Sequence, residues 1–280
     1  MAVKLIIDAG CDLNSEQAQA LGVTLIPMTV RFGNEEFLSG VDLSHEDFYN
    51  KMTIASELPT TSQPAPFAYE QVYQQVKEQG NEAVVLCVSS ALSGTYQSAT
   101  IALDGFEDCI HVVDTRAVSL AQRILLDHAI ALKNHGASAK EIADALEKKK
   151  EDVCVYGAVD TLEYLIKGGR LSKTAGAVGS VLGIRPVLCL RNGELSVAGK
   201  ARGLKGAIAM THDLVNQAGV DFSMPSAVGY TGNDPHVVDA YLASPNSPWN
   251  GQTVPVHQVG STVGTHAGPG LFIAAFFKRS

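Results

Sequence analysis

The run Ala83–Val88 (Ala-Val-Val-Leu-Cys-Val) is apolar at every position. A strand with one face in water alternates polar and apolar residues, so a run without alternation needs cover on both faces. That describes a central strand of a parallel sheet, and the surrounding chain supplies the covering elements. A helical pattern from Pro66 to Gly80 precedes the run, and another from Ser93 to about Leu103 follows it. Val3–Ile7 is a second β-rich run that ends in Asp8, after which Asn14-Ser-Glu-Gln17 opens a helix closed by Gly22. Thr24–Val30 reads as a strand that Pro27 confines to an edge or interrupts. Ser44-His-Glu-Asp47 caps a short helix, Ile110–Val113 is a strand, Ala117 to Asn134 is a long helix, and Ser138-Ala-Lys-Glu141 is a capping box. Alternating β and α elements predict a doubly wound, mainly parallel sheet.

Beyond Glu147–Asp152 the pattern changes. Val187–Leu190 and Glu194–Val197 flank Asn192-Gly193, a hairpin turn signal, so these two runs are antiparallel neighbours. The expected organisation is therefore an α/β domain over residues 1–157 followed by an α+β domain over 158–280, with the crevice between them as the default ligand site. A chain of 280 residues accommodates both.

Composition narrows the partners. A formal net charge of −8 leaves few Lys and Arg to neutralise phosphates, which argues against nucleic acid. The five cysteines are odd in number and widely spaced, as expected of free thiols in a reducing compartment. With no C-x-x-C and no H-E-x-x-H, no metal is expected. The N-terminus lacks the long apolar core of a secretion signal, and Leu271–Phe277 falls well short of the roughly 20 residues that span a bilayer. A cytoplasmic protein with at most transient membrane contact is expected.

Several segments could carry chemistry. Thr60-Thr-Ser-Gln-Pro-Ala-Pro66 is a polar loop stiffened by two prolines, whose ordinary role is to cap the helix after Pro66. Ser89–Ser98 follows the buried strand, where open α/β sheets bind ligands; Ser93 beside Gly94 at a helix start suits an anion or merely caps the helix. Gly260–Gly270 reads as a glycine-rich loop around His266 that matches neither the P-loop nor the dinucleotide fingerprint. Lys167–Arg170, Lys173, Arg185 and Lys200–Arg202 form a candidate positive patch or ordinary solvated charge.

Taken in order, Ile7-Asp-Ala-Gly-Cys-Asp-Leu13, Thr61-Ser-Gln-Pro64, Ser89–Ala99, Val113-Asp-Thr115, Gly168-Gly-Arg-Leu171, Ile184-Arg-Pro-Val187 and Gly264–Gly270 resemble the DegV family, which includes the fatty-acid-binding (FakB-type) subunits of bacterial fatty acid kinase. The resemblance covers about residues 3–278. Two positions depart from it: Ala9-Gly-Cys11 replaces a hydroxyl-rich stretch in the first motif, and Arg185 stands where Lys is commoner. The resemblance implies a two-domain protein enclosing one long-chain fatty acid, with the carboxylate near Thr61, Ser93 and His266. It also implies that Arg170 and Arg202 lie at the pocket mouth or at a kinase-docking face, and that no cofactor is needed besides the bound lipid.

The expected function is thus a non-catalytic carrier that presents a fatty acid, such as palmitate or oleate, to a separate ATP-dependent kinase for phospholipid synthesis. Burying about 14 methylenes at about 0.8 kcal/mol each offers about 11 kcal/mol before association costs, so the tail supplies affinity and the hydroxyl cluster selects the head group. Ala175–Gly183, rich in small residues, is a candidate tunnel lining. Two alternatives compete. A serine acyl hydrolase would use Ser93 as nucleophile, His266 as base and Asp114 or Asp8 as orienting acid. A phosphate- or sugar-binding domain would use the glycine-rich loop as an anion nest.

Overall fold

The computed structural model describes residues 2–172 and 183–279. Its strands are β1 (Val3–Asp8), β2 (Val23–Ile26), β3 (Thr29–Phe32), β4 (Glu35–Leu38), β5 (Thr60–Ser62), β6 (Glu82–Cys87), β7 (Ile110–Asp114), β8 (Val153–Ala158), β9 (Ile184–Arg191), β10 (Glu194–Arg202), β11 (Ser226–Tyr230), β12 (Val256–Gln258) and β13 (Phe272–Phe277). They form a parallel sheet in the order β2-β1-β6-β7, a mixed sheet β10-β9-β8-β13-β11-β12 and a small antiparallel sheet β4-β3-β5.

The apolar run lies where its composition requires. β6 pairs in parallel with β1 on one side and β7 on the other, and each of Ala83–Val88 is buried. Alternate residues face opposite layers. Val85 and Cys87 pack with Tyr69 and Tyr73 of the helix Pro66–Glu78, whereas Val84 and Leu86 pack with Leu125 of the helix Leu120–Asn134. This is the doubly wound arrangement. The second layer is shared: Val155, Leu188 and Ile273 of the mixed sheet belong to the same core as Val84 and Leu86, so the two sheets close on one apolar interior.

Local chemistry sets most boundaries. Asn14 and Gln17, and Ser138 and Glu141, form reciprocal capping boxes, and Ser44 accepts a hydrogen bond from Asp47 N–H. Pro27, lacking an N–H, falls between β2 and β3, which go to different sheets. Asn192 and Gly193 have φ of 51° and 83°, the doubly left-handed turn that joins β9 to β10. Gly193 O accepts a 2.8 Å hydrogen bond from Ser89 Oγ, which ties the hairpin to the end of β6.

Four details differ from the sequence reading. The long helix starts at Leu120 rather than Ala117, because Ser119 holds a positive φ of 58°. Thr60–Ser62 caps nothing: it is a strand paired with β3, and the following helix starts from Ala65 with no side-chain cap. The glycine-rich segment contains a helix, Ser261–Ala267. β8 hydrogen-bonds into the mixed sheet, to β9 and β13, so the change of sheet comes at Val153 and a division at 157/158 falls at the end of that strand.

Candidate functional site

The carboxyl ends of β1, β6 and β7 face the mixed sheet across a cavity. Its floor comes from the loops after those strands, with Gly10, Val88, Leu92, Ser93, Val118 and Ser119. This is the crevice where a parallel sheet places its ligands. The opposite wall is apolar, from Val155 and Gly157 of β8, Leu188–Leu190 of β9, Leu195 of β10 and Ile273 of β13. The helix Ser261–Ala267 closes a third side with Thr262, Val263, His266 and Ala267. Gly157 is required there: a Cβ on it would lie 2.5 Å from the Phe272 carbonyl.

At one end the cavity meets an outer groove lined by 55–61, Tyr164, Lys167, Gly168 and Thr265. Thr61, His266 and Arg170 line both spaces and so mark the mouth. Thr61 Oγ1 and His266 Nε2 are hydrogen-bonded at 2.8 Å. Burial, and to a lesser degree the neighbouring Arg170 charge, lower the His266 pKa to about 4, so the imidazole is neutral near pH 7. Its Nδ1 is buried without a protein partner and faces Gly168, where any Cβ would overlap the ring. Ser93 lies on the floor, its Oγ 2.8 Å from Thr95 Oγ1. Gln63 couples the two walls: its side chain lies against Gly94, which has no room for a Cβ, and its Nε2 donates to Ser98 Oγ at 3.1 Å. Thr61 and Ser93 are thereby held on either side of one contact.

Arg170 carries the one formal charge among the described residues of the cavity wall. Its Nε donates to Leu92 O at 3.1 Å and its Nη1 to Gly168 O at 2.6 Å, so the guanidinium is anchored by backbone carbonyls rather than by a carboxylate. Burial lowers its pKa, and among the described residues it has no carboxylate partner. The Thr61 hydroxyl, a neutral imidazole and a guanidinium with no ion pair among the described residues, at the mouth of a mostly apolar cavity, suit the carboxylate of a long apolar chain.

The geometry does not form the triad of the hydrolase alternative. His266 Nε2 is engaged by Thr61, and Ser93 pairs with Thr95. Asp114 accepts from Ser90 N–H at 3.2 Å, from Ser90 Oγ at 2.5 Å and from Arg116 N–H at 3.0 Å. Asp8 is fully enclosed, taking Gly10 N–H at 2.9 Å, Val88 N–H at 2.7 Å and Gln122 Nε2 at 3.2 Å. Burial pushes its pKa up to about 6 against those bonds, and its work is to tie the ends of β1 and β6 together.

Arg202 is exposed at the end of β10 and lines neither the cavity nor its outer groove. Arg185 makes a 2.5 Å ion pair with Asp160. Lys173, and the Ala175–Gly183 lining apart from Gly183 itself, fall outside the described residues. Among the described residues no cluster of His, Cys, Asp or Glu could hold a metal, and no helix is long and apolar enough to cross a membrane. Sequence reasoning missed Gly10, Ser119, Cys189 and Thr262 as wall residues. Gly10 sat inside a quoted motif and Thr262 inside the glycine-rich segment; Ser119 and Cys189 carry no local signal.

Comparison with known proteins shows the fold and the family. A DegV domain-containing protein of Deinococcus radiodurans is 32% identical over 275 residues, covering 96% of each chain. A solved structure described as fatty acid binding of a DegV family protein from Thermus thermophilus superposes with a TM-score of 0.86 at 28% identity, covering 99% of this chain and all of that one. The fatty acid kinase B3 protein of Streptococcus pneumoniae, solved loaded with linoleic acid, has the same fold, with a TM-score of 0.85 at 21% identity over the whole of both chains. Residues 2–279 match the family model described as "Uncharacterised protein, DegV family", and the chain belongs to the DegV family.

Proposed function

We propose that the protein binds one long-chain fatty acid in the cavity, with its carboxylate at Thr61, Ser93 and His266 beside Arg170. The observation that carries this reading is the distribution of polarity: the cavity wall is mostly apolar, and among the described residues its one charged side chain, Arg170, lies at the mouth with Thr61 and His266. Free energy comes from the tail and selectivity from the head group, since a carboxylate buried without donors would cost more than its bonds return. The fatty acid binding ascribed to the Thermus thermophilus relative supports it.

The finer part of the proposal is that the protein is a non-catalytic carrier in the cytoplasm, and that the bound carboxylate is presented to a separate ATP-dependent kinase, which forms an acyl phosphate. Thr61, His266 and Arg170 border the outer groove, so in this reading the carboxylate is reached from outside without withdrawing the tail. Arg202, exposed and away from the cavity, belongs in this reading to the docking face.

Native mass spectrometry with solvent extraction tests the first part. One fatty acid per chain is expected, with affinity for palmitate falling about tenfold or more in Thr61→Val and Ser93→Ala. A mass unchanged after incubation with palmitate and oleate overturns it. The second part is tested by ATP, the kinase and the loaded protein: acyl phosphate is expected, and its absence with lipid still bound removes the kinase role alone.

A further inference from the structure

The cavity wall contains four hydroxyls among its described residues. Three have protein partners. Thr61 bonds His266, Ser93 bonds Thr95, and Ser119 Oγ donates to Asp12. The fourth, Thr262, is 7% exposed, and its Oγ1 is buried with no hydrogen-bond partner. Elsewhere on the same helix, Thr265 Oγ1 donates to Ser261 O at 2.8 Å, so the local backbone offers such a partner and Thr262 does not take it.

The location separates Thr262 from the head-group cluster. Thr262 and His266 are four residues apart on one helix, hence on the same face and separated by about 6 Å along its axis. His266 lines both the cavity and the outer groove, whereas Thr262 lines only the cavity. The N-terminal end of the helix is also tied to the floor residue Ser119 through Asp12, which accepts from Gly260 N–H at 2.9 Å and from Ser119 Oγ. Thr262 therefore lies inward of the mouth, on the stretch of wall that the first carbons of a tail would pass. An unpaired hydroxyl buried beside methylenes is unfavourable, and a plain alkyl chain never relieves it. Valine, nearly the same shape, would suit such a chain better.

We propose that Thr262 forms a second polar site inside the cavity, which takes the oxygen of a hydroxy- or oxo-fatty acid oxidised a few carbons from its carboxylate. The proposal rests on the fatty acid reading above. A threonine hydroxyl both donates and accepts, so it serves either oxygen. The head-group cluster fixes the carboxylate and the helix fixes the spacing, so the site discriminates by the position of the oxygen along the chain.

The test is competition binding to the delipidated full chain with palmitic acid and positional isomers of hydroxypalmitic acid, on the wild type and on Thr262→Val and Thr262→Ser. Expected is one isomer, or two neighbours, that binds the wild type at least as tightly as palmitate while the remaining isomers bind more weakly. In Thr262→Val that isomer loses roughly three- to tenfold and palmitate loses nothing; Thr262→Ser retains the preference. Uniformly weaker binding of every isomer to the wild type overturns the proposal without recourse to a variant. An equal loss for palmitate and all isomers in Thr262→Val also overturns it and makes Thr262 a further head-group contact. If palmitate itself fails to bind the wild type, the failure belongs to the fatty acid reading.

Discussion

Thr61 Oγ1 and His266 Nε2 meet at 2.8 Å although 205 residues separate them. One comes from a short strand of the small antiparallel sheet, the other from the last turn of a helix that precedes β13, and their contact forms one side of the cavity mouth.

The His266 pKa, lowered to about 4 chiefly by burial, makes a signed prediction. Between about pH 4 and 6.5 the unfolded chain binds a proton at this position and the folded chain does not. The stability it contributes is therefore complete above pH 6.5 and lost as the pH falls through that window, by up to a few kcal/mol. His266→Gln should flatten the acid limb of the stability curve in denaturant titrations between pH 6.5 and 4. NMR of the wild-type imidazole should report a neutral ring at pH 5.5; a protonated ring at that pH contradicts the burial argument.

Gly168 and Gly169 are adjacent and should fail differently. A Cβ on Gly168 overlaps His266 Nδ1 and comes within 2.9 Å of Tyr164 O, whereas one on Gly169 meets nothing but must adopt φ of 75°. Gly168→Ala should push the imidazole off Thr61 and reduce fatty acid affinity about tenfold or more. Gly169→Ala should cost about 1–2 kcal/mol of stability and leave affinity unchanged. Thermal melts and binding isotherms on both variants separate steric displacement from backbone strain.

Much of this architecture was legible beforehand because it is written in local chemistry. The unbroken apolar run required a doubly covered strand, and Asn14–Gln17, Ser138–Glu141 and Asn192-Gly193 fixed two helix starts and a hairpin. Thr61, Ser93 and His266 stood out only as parts of ordered motifs; the Thr61–His266 contact itself is a product of topology. What the sequence hid has physical causes. Thr60–Ser62 resembles a cap because hydroxyls before a proline-started helix usually are one, yet pairing with β3 satisfied that backbone instead. Ser119 sits within an apolar helical pattern, and nothing local announces its left-handed backbone, which depends on Gly10 O accepting its N–H at 2.7 Å and on Asp12 accepting its hydroxyl.

Asp12 is the buried partner in that arrangement and predicts a second pH effect of opposite sign. It accepts from Ser119 Oγ and, at 2.9 Å, from Gly260 N–H, while burial raises its pKa to about 7. A group raised in the folded state favours folding below its unfolded pKa near 3.8, and that contribution is lost as the pH rises toward 7. Asp12→Asn keeps an acceptor for Gly260 and loses the charge, so it should match or exceed the wild type in stability at pH 8. Asp12→Ala strands both donors and should cost about 2–4 kcal/mol. Chemical denaturation at pH 5 and pH 8 checks both; an Asp12→Asn variant much weaker than the wild type at pH 8 would show that the ionised form is the one the fold uses.

Ser93 separates carrier from hydrolase by direct chemistry. A serine nucleophile needs a base on its oxygen, but Ser93 Oγ is paired with Thr95 Oγ1 at 2.8 Å and the nearby imidazole is held by Thr61. Asp114 and Asp8 spend their oxygens on Ser90, Arg116, Gly10, Val88 and Gln122, leaving no carboxylate on the imidazole. A fluorophosphonate probe should add no mass to Ser93, and acyl esters should show no turnover that Ser93→Ala abolishes. The same variant should weaken palmitate binding about tenfold, because in the proposed binding mode the lost group is a hydrogen-bond donor to the charged head group. A covalent adduct at Ser93, with ester turnover lost in Ser93→Ala, would assign the serine to catalysis and require the imidazole to leave Thr61 when substrate enters.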